Sequence, residues 1–154
     1  MGRVRKGPLH IEAPPERVWQ LLCDTSRLTE WNVELAEIRD AEGPLDHPGA
    51  GYNQVFRFGG RRVLGGRFTI VAVQPGQSRE VRVEPPPPMA KWARGRDWLE
   101  PANGGTNVYV DLEYEPKGGL AGKIFDRLLF QPMMSRGMDK NGRNLKRLLE
   151  SEPT

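Results

Sequence analysis

The chain has 154 residues, 37% of them apolar and 28% charged, with a net charge of +3 and a pI near 9.2. That size and composition fit one globular domain, residues 1–154, and no run approaches the apolar length of a membrane span. A single cysteine, Cys23, excludes an internal disulfide, and basic residues interleaved with acidic ones argue against a nucleic-acid surface.

The start, Met1 to Pro8, is charged but lacks the apolar core of a secretory signal. Lys6 also stands where a myristoylation pattern needs Ser or Thr. A cytoplasmic location is the expectation. Val4 to Glu12 predicts a first strand. Pro14 and Pro15 then open a helix, where a missing N–H is harmless, and Val18, Leu21 and Leu22 form its buried stripe. Asp24 is placed to cap a second short helix over 25–30, with Trp31 at its end. A short strand over 33–39 and a Gly/Pro/Asp-rich loop over 42–51 follow.

From Tyr52 the pattern has period two. Tyr52, Phe56 and Phe58 share a face, with Gln54 among them. Strands are predicted over 52–58, 67–73, 79–84, 90–100 and 107–115, with turns over Gly59–Arg62, Pro75–Gly76 and Pro101–Gly105. The proline run Pro85–Pro88 ends one of these strands. Val81 and Val83 point inward in theirs. In the last strand Val108, Val110, Leu112 and Tyr114 alternate with Tyr109, Asp111, Glu113 and Glu115, the pattern of a half-buried antiparallel strand.

The closing stretch, 120–150, repeats apolar residues at helical spacing: Leu120, Ile124, Leu128, Leu129, Met133 and Met134, continuing to Leu145, Leu148 and Leu149. Pro132 predicts a kink near Gln131–Pro132, because an interior proline costs roughly 3 kcal/mol. The order is one strand, two short helices, about six strands and a long helix. Hairpins with one dry face need a cover, and only the last helix is long enough. The fold class is therefore α+β, with a curved antiparallel sheet of six to seven strands around a C-terminal helix.

The run Ile11-Glu-Ala-Pro-Pro-Glu-Arg-Val-Trp-Gln-Leu-Leu-Cys-Asp, followed by Leu28 and Trp31, resembles the opening of the START-like helix-grip superfamily (SRPBCC), in its polyketide cyclase/dehydrase branch. Gly51, the Gly105–Thr106 pair and Asn144-Leu-Lys-Arg-Leu-Leu-Glu are further matches. The resemblance implies an apolar cavity between sheet and helix for a polyketide, lipid or isoprenoid. It is equally compatible with a cyclase, aromatase or dehydratase, and with a module that only binds proteins.

The expected ligand-binding residues are Tyr52, Gln54, Phe56 and Phe68 on the first hairpins, with Val81, Trp92 and Trp98 beyond them. Val110, Leu112 and Tyr114 come from the last strand, and Phe125, Leu129, Met133 and Met134 from the helix. Trp92, Arg94, Arg96 and Trp98 share parity. Inward tryptophans therefore imply inward arginines and a carboxylate or phosphate partner, unless a bulge at Gly95 turns the arginines to solvent. In the enzymatic reading Arg94 or Arg96 orients substrate, and Tyr52 or Tyr114 exchanges protons. No metal-ligand spacing is present. The Gly-Gly-Leu-Ala-Gly-Lys run at 118–123 fails the phosphate-loop pattern, since Lys117 and Ile124 stand where Gly and Ser/Thr are needed, and no residue calls for a cofactor.

Overall fold

The computed structural model describes residues 1–152. Seven antiparallel strands form one sheet in the order β1-β7-β6-β5-β4-β3-β2. They are β1 (Gly2–Ile11), β2 (Leu35–Glu42), β3 (Gly51–Phe58), β4 (Arg61–Gln74), β5 (Ser78–Glu84), β6 (Ala90–Ala102) and β7 (Gly105–Pro116). Strands β2 to β7 form a simple meander. Strand β1 then adds to β7, pairing Val4 with Leu112 and Ile11 with Thr106. Strand β4 begins at Arg61, earlier than its alternation predicts, because Gly59 and Gly60 at φ 57° and 78° make a tight two-residue turn that lets pairing start at Phe58–Arg61.

Between β1 and β2 lie α1 (Pro15–Cys23), a 3-10 turn over Thr25–Arg27 and α2 (Leu28–Trp31). The carboxylate of Asp24 accepts from the Ser26 N–H and caps the turn as expected. After β7 the chain is helical without a break from Gly119 to Ser151: α3 (Gly119–Phe125), a π segment (Asp126–Phe130) and α4 (Gln131–Ser151).

The disturbance expected at Pro132 takes the form of that π segment. Proline supplies no N–H to the turn before it, and the wider turn upstream, closed by the Gln131 N–H on the Asp126 carbonyl, accommodates it. The expected apolar stripe is corrected here. Leu120, Ile124, Leu128, Leu129 and Met133 are exposed, whereas Asp126, Phe130, Gly137, Leu145 and Leu149 are buried. One extra residue in the π turn puts Asp126 and Phe130 on the sheet side.

Buried apolar residues gather in three clusters rather than one. Ile11, Val18, Leu22, Leu99, Val108, Leu145 and Leu149 form the first, between α1, α4 and one end of the sheet. Leu28, Leu35, Leu45, Tyr52, Ile70 and Val81 belong to the second. Val4, Ala90, Ala93, Tyr114 and Phe130 form the third, with Met134 and Met138 packed against it.

Candidate functional site

Strand register lays the concave face out in rows. One row runs Ile70–Val81–Gly95–Leu112–Val4 across β4, β5, β6, β7 and β1. The row beside it holds Val73, Arg79, Asp97, Val110 and Lys6, and on the other flank Tyr52 pairs with Phe68 and Phe68 with Val83. In the middle of the central row stands a residue with no side chain. A Cβ placed on Gly95 would meet only the Asp111 carbonyl, at 3.7 Å. Among the described residues no helix side chain comes within 4 Å of that position, so the space directly over Gly95 is unfilled. Around it Phe68, Val83, Val110 and Leu112 are only half buried. The three clusters border this face, the first two joined through Trp19 and Trp31.

The polar groups on this face are already engaged with one another. Arg79, 3% exposed, donates from Nε to Asp97 Oδ1 at 3.0 Å and from Nη2 to Asp97 Oδ2 at 2.7 Å. Its Nη1 donates to the Leu22 and Leu45 carbonyls. Burial alone would lower the Arg79 pKa; the charge and hydrogen bonds of Asp97 outweigh it, so the guanidinium stays firmly cationic. It also lies 6.0 Å from the centre of the Trp19 ring. Tyr52 stacks on Phe68 at 4.8 Å, and burial raises its phenol pKa. Tyr114 donates to Asp126 Oδ1 at 2.5 Å, and both residues are buried. Burial first, and the Asp126 hydrogen bond second, raise the Tyr114 pKa.

Where α2 passes under α4, two buried polar atoms lack a partner among the described residues: Trp31 Nε1 and Asn32 Oδ1. Trp31 packs against both the first and the second cluster. The neighbouring Glu34 carboxyl lies against Gly137 of α4, and burial raises its pKa, partly offset by Lys140.

Of the residues expected to line a cavity, Tyr52, Phe68, Val81, Val110, Leu112 and Tyr114 lie on the concave face, and Met134 packs with the third cluster. Phe56 packs on the second cluster, and Gln54 is buried with its amide committed to the Gly66 carbonyl at the β4 irregularity. Trp92, Arg94, Arg96 and Trp98 do share parity, and pairing runs through Gly95 without a bulge. All four, however, stand on the outer face. Arg94 lies 5.0 Å over Trp92 and bonds Glu113; Arg96 lies 4.8 Å over Trp98, which stacks on Tyr109. Guanidinium stacking covers the tryptophans from outside, so their bulk does not require a core. Phe125, Leu129 and Met133 are exposed on the far side of the helix.

Sequence reading missed the buried cation. Arg79 has the parity of Val81 and Val83, and that alternation was its signal. Trp31 helped to carry the family resemblance but was not among the expected ligand-binding residues. A separate cleft of about 740 Å³ opens at the C-terminal end of α4, between α1 and the loop at Gly43–Asp46, and not over Gly95. Arg27 beside it is already paired with Glu30 and Glu152.

A curved antiparallel sheet packed against a long C-terminal helix is the architecture of the START-like helix-grip class. The model of the family described as polyketide cyclase / dehydrase and lipid transport matches residues 7–150, and the chain belongs to that family. Among solved structures it is similar to Ara h 8.0201, at 14% identity and TM-score 0.74 over 98% of this chain and 100% of that one. It is also similar to TTHA0849 from Thermus thermophilus, at 21% identity and TM-score 0.73 over 97% and 98% of the two chains. Against the di-domain ARO/CYC BexL from the BE-7585A biosynthetic pathway the TM-score is 0.80 at 15% identity, over 99% of this chain and 51% of that one. At such identities the likeness concerns the fold. Curated protein sequences provide no match.

Proposed function

We propose that the chain binds or carries an apolar small molecule of the polyketide, lipid or isoprenoid class in the hollow over Gly95. The observation that carries this reading is the unfilled space at Gly95, floored by Val81, Leu112 and Val110. Burial of about ten methylenes contributes roughly 8 kcal/mol gross, and association returns several of these, so micromolar and permissive binding is expected. Trp31 Nε1, a buried donor without a partner among the described residues, is suited to a carbonyl or carboxylate oxygen.

Carriage is favoured over cyclisation by where the polar groups go. Arg94 and Arg96 are spent on the outer face, while Arg79 with Asp97 and Tyr114 with Asp126 satisfy each other. The test is a titration of tryptophan fluorescence with fatty acids and flat aromatics. A saturable change is expected, lost in Gly95→Leu but kept in Trp98→Phe. Absence of any saturable response, or full binding by Gly95→Leu, defeats the reading.

A further inference from the structure

The face that the π segment turns away from the sheet is apolar and uncovered. Leu120, Ile124 and Leu128 form one row along it; Phe125, Leu129 and Met133 form the next, with exposures between 44% and 76%. Strand direction places a second apolar projection at the same end of the molecule. The C-terminus of β7, the N-terminus of β6 and the C-terminus of β5 lie there, and the β3–β4 hairpin runs past the Arg67–Glu84 pair with Phe58 and Leu64 exposed at its tip.

Cations fringe both projections. From Lys117 to Arg136 the charges are Lys117, Lys123, Arg127 and Arg136, and the one carboxylate, Asp126, is buried under Tyr114. The hairpin carries Arg57, Arg61 and Arg62, with no acidic residue anywhere between Asp46 and Glu80. Carboxylates near this end have cationic neighbours: Glu84 with Arg82 at 3.8 Å, Glu115 with the N-terminal ammonium at 3.5 Å, and Glu37 with Arg39 and Arg62.

An exposed apolar helix face edged by Lys and Arg matches the headgroup zone of an anionic bilayer, where acyl chains take the apolar rows and phosphates the cations. We propose that this end of the molecule docks on an anionic lipid surface, laying α3 and the π segment in the interface with the β3–β4 tip beside them. A second copy is the poorer occupant, because a two-fold contact would set one cationic fringe against another. This attachment is interfacial; no helix among the described residues is long and apolar enough to cross a membrane.

The test is co-sedimentation of the full chain with vesicles of phosphatidylcholine alone or with about 30% phosphatidylserine. Binding to the anionic vesicles is expected, falling steeply toward ~0.5 M salt as screening shortens to a few ångströms. Lys123→Glu with Arg127→Glu, and separately Leu120→Glu with Leu128→Glu, are each expected to weaken partition roughly tenfold or more. Arg147→Glu, near the opposite, C-terminal end of α4, is expected to leave partition unchanged. All these side chains are exposed, and unchanged melting confirms intact folds. No pelleting with anionic vesicles overturns the proposal, as does equal pelleting of the variants. A dimer dissolved by Leu128→Glu, without vesicle binding, would assign the face to self-association instead.

Discussion

A buried guanidinium is costly unless its charge and donors are met, and Arg79 meets both through Asp97 and the α1-end carbonyls. Asp97→Ala leaves that charge uncompensated and is expected to cost about 3–5 kcal/mol in urea unfolding. Replacing both partners, Arg79→Met with Asp97→Leu, is expected to recover most of this loss. The same reasoning was available from the sequence for Arg94 and Arg96. Its chemistry held and its address was wrong, because parity fixes which residues share a face but not which face is inside. In β6 the inner set is Ala93, Gly95, Asp97 and Leu99, and the larger residues point out. Cys23 sits beside Arg79, and burial raises its thiol pKa to about 11 from 9.0. The folded state thus holds the proton that the unfolded chain releases first. The Cys23 contribution to stability is full below pH 9 and declines between about pH 9 and 11. Over that window the urea midpoint of the wild type is expected to fall more than that of Cys23→Ala.

At the level of elements, the C-terminal helix was legible in length and position but not in rotation. Helical spacing put Leu120, Ile124 and Leu128 in the core; the π turn, invisible to a fixed period, turned them out. The sheet side is secured instead by Phe130, packed edge-on to Tyr114 at 5.2 Å, and by the Tyr114–Asp126 bond. Tyr114→Phe removes the donor from a buried carboxylate and is expected to cost about 1–3 kcal/mol, read as a lower melting temperature. Glycines that carried the family resemblance have a steric reason. A Cβ on Gly51 would stand 2.3 Å from the Phe68 carbonyl, and one on Gly105 the same distance from that of Ile11. These neighbours are backbone and cannot swing aside, so Gly51→Ala is expected to strain the β3–β4 pairing by about 1–3 kcal/mol.

For the molecule as a whole, the sign of one substitution separates a hollow interior from a solid one. Were the space over Gly95 packed, Gly95→Leu would push side chains off their rotamers and cost about 1–3 kcal/mol. Over an empty chamber the added side chain meets Val81 and Leu112 across the ladder and removes a glycine from a strand interior, where it is a poor fit. Ligand-free Gly95→Leu is therefore expected to be at least as stable as the wild type in urea. A bound apolar ligand should reverse the order. At a hundredfold excess over its dissociation constant a ligand stabilises the wild type by about 2.7 kcal/mol, and the filled variant gains nothing. The two curves, with and without ligand, test both halves of the claim: that the sheet and helix enclose space, and that the space is what holds the ligand.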